Sequence, residues 1–581
     1  MAELFSKDSE YKDIDLEMFT VGSEYGDLLF SRPNPDWPEK YWPELKTETI
    51  HYKKGDTAKE GGFHPLVCDL ILEKDTPIKT RDGRVFYADI LRPADDGQYP
   101  VIMAWSPYGK IEPPNSYDVY DSRAFMNKAW SCGLDTFEGP EPDYWVKNGY
   151  IVANIDVPGS TNSEGPLRYL GRYAGQDSYD AVEWLGTQPW SNGKVTMVGN
   201  SWLAAAQWYT AGTQPPHLAC IAPWEGFSEH YWDKFMWGCI PTIEFHMSIM
   251  KMMRYNEGYE MMPVMLEKHP WYDSYWKEEK RPDFHSITVP AYVVASWTSN
   301  VHPYGTFRGW CLMQSKEKWL RVHNTQEWTD QQRPVFRDDL KMFFDHYMKG
   351  IDNGWEKTPK VRVSLIDQTG VDEVNRPVAD FPVPGTEYRK YYLKADGTLS
   401  LEKPEEEGVV TFPVGDDNKG LAEFRLKLEE NLDLCGYFQS HLYLSTDKGN
   451  DMDSYQYFSK EDSIGIPNYP IVLGVDFHGA ESRLRISRRK VSNAALWDYQ
   501  YNPDGEELIA PGEIAKIDTV TWPLGMKWRK GETLVYTVSA GNRRTTEFKT
   551  LSDPPTVNEA GSNHTIHIGG EHASYVEVPV I

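Results

Sequence analysis

Residues 195–208 read VTMVGNSWLAAAQW. An apolar, partly β-branched run (Val195, Thr196, Met197, Val198) meets Gly199, then Asn200, Ser201 and Trp202, then an alanine-rich run. Strand, sharp turn and helix follow one another with no room between them. That is the layout of a nucleophile elbow, a strained turn that lifts a serine above the edge of a parallel sheet. The usual G-x-S-x-G pattern is not met, because position 203 is Leu, although Gly199 and Ala204 are small enough to let strand and helix approach. A serine hydroxyl is a weak nucleophile until a base takes its proton, so the elbow predicts a base elsewhere in the chain. The plainer reading is a buried serine capping a helix.

The pattern around the elbow supports an α/β sheet. VCDLILEKD (67–75) and RVFYADILRP (84–93) read as paired strands about the turn TRDGR (80–84). YPVIMAWSPYG (99–109) and GYIVANIDVPG (149–159) are buried strands running into loops, and DSYDAVEWLGTQ (177–188) has helical periodicity. After the elbow come HLACIAPWEG (217–226), ITVPAYVVASW (287–297), KWLRVHN (318–324) and an amphipathic helix, FRDDLKMFFDHYMKG (336–350). Strands alternating with helices predict a parallel sheet covered on both faces.

Three other regions flank or interrupt that rhythm. Residues 1–65, with Pro33, Pro35, Pro38 and Pro43, read as an extended arm packed on the body. Residues 226–287 read as a helical insertion holding eight of the 18 methionines, all between Met236 and Met265. Methionine is a flexible gap-filler common at adaptable binding surfaces, so this segment is either an ordinary soft core or a cap over the site. From residue 356 to 581 helical periodicity vanishes, and short strands such as VRVSLID (361–367), FQSHLYLST (438–446) and ETLVYTVSAG (532–541) read as a jelly-roll β-sandwich. The expected architecture is an α/β-hydrolase sheet over 66–225 and 288–355, a helical cap over 226–287, and a C-terminal jelly roll over 356–581.

Composition narrows the function. The chain has 581 residues, too many for one ordinary core. Its net charge of −27 argues against nucleic acid and against an anionic membrane surface, both of which need clustered Lys and Arg. No run of 18 apolar residues and no apolar leader in MAELFSKDSEYKD are found, so a cytoplasmic protein is expected. The six cysteines are scattered without a ligand spacing, and GNSWLA lacks the lysine and the glycines of phosphate loops, so neither a metal nor a cofactor is expected. The expected partner is a small-molecule substrate, with a homo-oligomer possible. Aromatic residues reach 14% with 22 Trp, enough for large cores and for an aromatic pocket.

The chain resembles the cocaine esterase and X-prolyl dipeptidyl aminopeptidase family of α/β-hydrolases. TRDGRVFYADILRP looks like the family's opening hairpin, WSPYGK like its oxyanion-loop Asn-Pro-Tyr motif, and DVPGSTNSEG like its Asp-x-Arg-Gly-x-x-x-Ser-Glu-Gly loop. GNSWLAAAQW looks like its Gly-x-Ser-Tyr elbow, FFDHYMKG like the end of its hydrolase domain, and the segment ending HTIHIGGEHASYVEVPVI like its jelly roll. The resemblance implies Ser201 as nucleophile, with the phenol of Tyr108 and the backbone N–H of Trp202 forming an oxyanion hole. Trp105, Glu225, Trp297 and Asn300 are the candidate substrate-lining residues, with Glu225 or Glu229 as a conceivable acidic anchor for an amine.

The rest of the family's triad does not carry over. The family places an aspartate after the strand that follows the cap, in a Gly-Trp-x-Asp context. The matching stretch here is ASWTSNVH, which offers Thr298, Ser299 or Asn300, and no Asp or Glu occurs between Asp283 and Glu317. The family's histidine follows the next strand, and that slot falls near Glu327, with His323 four residues earlier. Three repairs stay open: His323 as base, oriented by Asn300 or Glu327; His302 in that role; or Glu327 acting directly, which needs a raised pKa. The leading expectation is a serine hydrolase acting on an ester or amide of a hydrophobic small molecule through an acyl-enzyme. The alternatives are a non-hydrolytic isomerase, cyclase or lyase that uses the oxyanion hole and Glu327, and a catalytically dead binding protein.

Overall fold

The computed structural model describes residues 17–32, 44–110, 126–299, 301–415, 418–467, 471–472, 475–476, 478–502, 504–543 and 556–581. Asn300 lies outside the described residues.

The first domain is built on an eleven-stranded sheet. Its strands are β1 (Glu48–Tyr52), β2 (Leu70–Lys79), β3 (Val85–Pro93), β4 (Tyr99–Ser106), β5 (Ile151–Asp156), β6 (Ser191–Asn200), β7 (Leu218–Trp224), β8 (Ala291–Ser296), β9 (Lys318–His323), β10 (Val361–Leu365) and β11 (Glu373–Val378). The spatial order is β11-β10-β9-β8-β7-β6-β4-β5-β3-β2-β1. From β5 through β4 to β10 every neighbouring pair is parallel. β5, β8 and β10 are buried at every position, as strands covered on both faces must be. The helices packed on the sheet include α1 (Arg172–Gly186), α2 (Ser201–Gly212), α5 (Pro303–Leu312), α6 (Glu327–Gln332) and α7 (Pro334–Lys349), the last closed by Gly350 in the left-handed region.

The segment VRVSLID, expected among the sandwich strands, hydrogen-bonds into the large sheet: Val361–Leu365 pairs parallel with β9, and the sheet ends at Val378. Its five consecutive buried residues fit a strand covered on both faces.

The cap holds α3 (Glu244–Met252) and α4 (Met262–Lys268) between single π-helical turns at Tyr231–Phe235 and Tyr275–Glu279. Its methionines Met247, Met250, Met253, Met261, Met262 and Met265 are buried. The N-terminal arm forms a hairpin, Met18–Ser23 with Gly26–Ser31, and pairs through Phe30 and Ser31 with Tyr259–Glu260 of the cap. Among the described residues, the C-terminal region holds two antiparallel sheets, of nine and four strands, and two short two-stranded ribbons. It docks through Trp522, stacked on Trp237 of the cap at 4.3 Å, and through Gly525, where a Cβ would meet the Trp297 indole at 2.6 Å. No helix among the described residues is long and apolar enough to cross a membrane.

Candidate active site

Ser201 opens α2 directly after β6, with φ +54°, a conformation that L-residues adopt only at a cost. Its backbone N–H donates to the carbonyl of Glu225 at the end of β7, 2.8 Å away. The turn needs Gly199, at φ +144°, because a Cβ there would lie 2.4 Å from that of Leu203. Leu203 therefore fills the place of the missing second glycine by lying against the first. The Ser201 side chain keeps a small opening, with the residue 8% exposed.

His302 stands at the N-terminus of α5, just past β8. Its Nε2 lies 3.2 Å from Ser201 Oγ, and its Nδ1 lies 3.1 Å from Glu327 Oε2 and 3.2 Å from Ser299 Oγ. Glu327 is the first residue of α6, in the loop region after β9, where Gln326 caps the helix by accepting from the N–H groups of Trp328 and Thr329. Serine, imidazole and carboxylate thus form one buried hydrogen-bonded chain from the ends of β6, β8 and β9. Burial works to raise the Glu327 carboxyl. The imidazole of His302, its hydrogen bond, and a hydrogen bond from Glu225 outweigh that effect and hold the group below its ordinary value.

Behind Glu327 lies a second acid–histidine contact. His323, the last residue of β9, has its Nε2 2.7 Å from Glu225 Oε1. Its Nδ1 accepts from the Thr325 N–H at 3.2 Å, so in the neutral ring the proton sits on Nε2, the nitrogen nearer Glu225. Burial drives His323 down to about 4. Glu225 is 1% exposed, and burial first, then the neighbouring Glu327 and Asp330, push its carboxyl well above the ordinary range. Asp330 is ion-paired with Arg321, which anchors the far end of this chain.

Tyr108 follows β4 at the same edge of the sheet, its N–H bonded to Ser106 Oγ at 3.1 Å and its ring edge-on to Phe137 at 5.0 Å. The Tyr108 loop is pinned by Ser160 Oγ, which donates to the Pro107 carbonyl at 3.0 Å, and by Lys110, which pairs with Asp75 at 2.6 Å and Asp156 at 3.4 Å. Trp202 is buried beside Ser201, edge-on to Tyr169 at 5.0 Å. Trp105 and Trp297, expected along the pocket, are packed in the interior. Trp105 meets Phe86 edge-on, and the Trp297 indole N–H donates to the Ser364 carbonyl while its ring stacks on Phe307. Glu225, expected as an anchor for an amine, faces Glu327 and His323. Glu229 pairs with Arg308 at 3.0 Å.

Two groups among the described residues bring three potential metal-ligand atoms within 4.8 Å of one another: His64 with Glu141 and Asp143, and Glu225 with His302 and Glu327. In the second, both nitrogens of His302 already face partners in Ser201 and Glu327. The Glu225–Glu327 contact was missed from sequence because neither residue carries a motif; only their placement after β7 and β9, the two parallel strands that flank β8, links them.

A largely parallel sheet with a strained serine turn, an inserted cap and a trailing β-sandwich defines an α/β-hydrolase. The model of the X-Pro dipeptidyl-peptidase (S15 family) matches residues 82–253, and that of the X-Pro dipeptidyl-peptidase C-terminal non-catalytic domain matches residues 353–577. The chain belongs to the cocaine esterase and X-Pro dipeptidyl-peptidase family of hydrolases. The cocaine esterase of Rhodococcus sp. (strain MB1 Bresler) is 23% identical over 388 residues, 56% of this chain and 62% of that protein. A putative Xaa-Pro dipeptidyl-peptidase of Streptomyces avermitilis is 21% identical over 322 residues, 47% of this chain and 44% of that protein. The chain therefore matches less than two-thirds of either curated relative. A crystal structure of a CocE/NonD family hydrolase from Staphylococcus aureus superposes with a TM-score of 0.86 at 28% identity, covering 94% of this chain and 99% of that one. An α-amino acid ester hydrolase shares the fold at 17% identity, with a TM-score of 0.64 over 88% of this chain and 97% of that one.

Proposed function

We propose that this protein is a serine hydrolase that cleaves an ester or amide of a hydrophobic small molecule through an acyl-enzyme on Ser201. The observation that carries the reading is His302, with Nε2 at 3.2 Å from Ser201 Oγ and Nδ1 at 3.1 Å from Glu327. His302 takes the proton as Oγ attacks the carbonyl and returns it to the leaving alcohol or amine. Water, deprotonated by the same imidazole, then releases the acid and restores Ser201. Glu327 orients the ring and stabilises the imidazolium. The Tyr108 phenol and the Trp202 N–H take the developing oxyanion, each such donor contributing about 10²–10³ in rate.

In α/β-hydrolases the partners usually follow in the order serine, acid, histidine. Here the order is Ser201, His302, Glu327: the two loops have exchanged chemistry while their side chains converge on the same point. Glu225 completes the charge balance. Two buried carboxylates in contact do not both ionise, and Glu327 has the histidine, so Glu225 carries the proton and donates it towards Glu327.

The engagement of Glu327 with His302 favours hydrolysis over direct proton transfer on carbon by Glu327, and a complete serine–histidine–acid chain favours an enzyme over a binding protein. The test is intact mass after incubation with a fluorophosphonate. One phosphonyl adduct on the wild type and none on Ser201→Ala is expected; a folded wild type that stays unmodified overturns the reading.

A further inference from the structure

Two glutamates hold the serine turn, and both do so from a left-handed backbone. The Ser201 N–H donates to the carbonyl of Glu225, at φ +57°, across 2.8 Å, and the Asn200 N–H donates to the carbonyl of Glu138, at φ +65°, across 3.3 Å. Left-handed backbone is uncommon for a residue with a side chain, and it persists where the surroundings over-determine it. A glycine takes the same φ without that cost. What a glutamate adds at each position is its carboxyl group.

Both carboxyl groups go to the same helix. That of Glu225 hydrogen-bonds with Glu327, the first residue of α6. Glu138, 4% exposed, accepts at Oε1 from Nε1 of the next residue, Trp328, at 3.2 Å. Each glutamate therefore spans from the serine turn to the start of α6.

Glu138 belongs to the connection between β4 and β5, and its chain neighbours are fastened to the same pieces. Phe137 packs against Tyr108 at 5.0 Å and against Trp328 at 5.4 Å, ring centre to ring centre. Thr136 Oγ1 donates to the Gly109 carbonyl, next to Tyr108. Gln332 Nε2, one turn along α6 from Trp328, donates to the Gly139 carbonyl at 2.8 Å. A Cβ at Gly199 would lie 3.0 Å from the Glu138 carbonyl oxygen, so the contact with the turn is close.

The span matters because of what lies inside it. Ser201 follows β6 and Glu327 follows β9, with β7 and β8 between them in the sheet. His302 bridges the two side chains, 3.2 Å from Ser201 Oγ and 3.1 Å from Glu327 Oε2, so spreading of the turn from α6 breaks one of these hydrogen bonds. A misplacement of about 1 Å in such an array costs about 10²-fold in rate.

We propose that Glu138 is a positioning residue for the reaction: its carbonyl holds the serine turn, its carboxyl group holds the helix that carries Glu327, and together they set the gap that His302 bridges. The proposal rests on the reading of Ser201 and His302 given above. Glycine at position 138 would serve the turn and leave α6 untied.

The test is fluorophosphonate labelling of the full-length protein, resolved into the limiting rate kinact and the half-saturating concentration KI, with Tm measured alongside. Glu138→Gly keeps the carbonyl and suits the left-handed backbone but removes the carboxyl group. Its Tm is expected within about 3 °C of wild type, while kinact falls about 10- to 100-fold and KI stays within about threefold. Glu138→Gln still accepts from Trp328 and should keep kinact within about threefold of wild type. Trp328→Phe removes the donor, leaves a ring against Phe137 and should slow kinact to a similar degree as Glu138→Gly; the double variant should be no slower than the slower single one. Wild-type kinact in Glu138→Gly, a loss confined to KI, a Gln variant as slow as the Gly variant, or losses that multiply in the double variant each overturn the proposal. If Glu138→Gly does not fold, a slow Trp328→Phe beside a fast Glu138→Gln supports the proposal, and any other ranking of that pair overturns it. A folded wild type that stays unlabelled overturns the Ser201 reading and this one together, whereas a labelled wild type with unaffected variants overturns only the role of Glu138.

Discussion

Two histidine–glutamate contacts lie side by side at the end of the sheet, and only one of them meets the serine. In the first, His302 presents Nε2 to Ser201 and Nδ1 to Glu327. In the second, His323 turns Nε2 to Glu225, and Nδ1 is taken by the Thr325 N–H. The residue types are the same and the burial is similar. What differs is which ring nitrogen remains for the nucleophile. His302 sits at a helix start beyond its strand, free to reach across; His323 is the last residue of its own strand, with its ring direction set by the sheet. A histidine's role is decided by the direction of its hydrogen bonds, not by the acid beside it.

The sharpest way to break that comparison is to remove each histidine. His302→Ala is expected to cut kcat/KM about 10⁴–10⁶-fold and to abolish fluorophosphonate labelling of Ser201. His323→Gln should leave labelling in place, with activity within about tenfold of wild type if the fold holds, since the residue touches no reacting atom. Comparable losses in both variants would erase the distinction. Next, Glu327→Gln should lower kcat about 10³–10⁴-fold with KM little changed, because the imidazole loses its orienting charge. Smaller again is the contrast at Glu225. A neutral Glu225 is mimicked by glutamine, so Glu225→Gln should stay within about threefold of wild type while Glu225→Ala loses about 10- to 100-fold, because Glu327 then keeps only His302 as its partner. Equal damage from both would mean that Glu225 works as a carboxylate.

The smallest effect is one of stability. Folded His323 titrates at about 4, while an unfolded histidine titrates near 6.5. Between those values the unfolded chain holds a proton that the folded chain does not, so the residue's contribution to stability is complete above about pH 6.5 and shrinks as pH falls towards 4. At pH 5 the loss amounts to about 2 kcal/mol. Calorimetric Tm measured at pH 7 and pH 5 should therefore fall less in His323→Gln than in the wild type.

The elbow and the strands around it were legible because their signals are local: a glycine before the serine, apolar runs before and alanines after. The sandwich was legible through its short strands and turns, whereas VRVSL is too short to reveal that it hydrogen-bonds into the large sheet. The site was legible residue by residue but not as pairs. His302, Glu327, Glu225 and His323 all stand out in the sequence, yet the first pair spans 25 positions and the second nearly a hundred. Nothing in the spacing says which acid faces which ring, because that depends on the order of strands in the sheet. Trp105 and Trp297 misled in the opposite sense: bulky aromatic residues near active loops fill the core as readily as they line a pocket.

The N-terminal hairpin has a consequence in time. Ser31 and Phe30 pair with Tyr259 and Glu260, a contact that spans 228 positions of chain between Ser31 and Tyr259. Long-range pairings of this kind form late, since the intervening loop must close first. During synthesis the hairpin emerges early and waits until the cap strand leaves the ribosome. The cap's own edge is completed only when that strand docks. The closing of the arm onto the cap is then among the last contacts this chain makes, and a molecule caught before that step holds the serine turn under an unfinished cover.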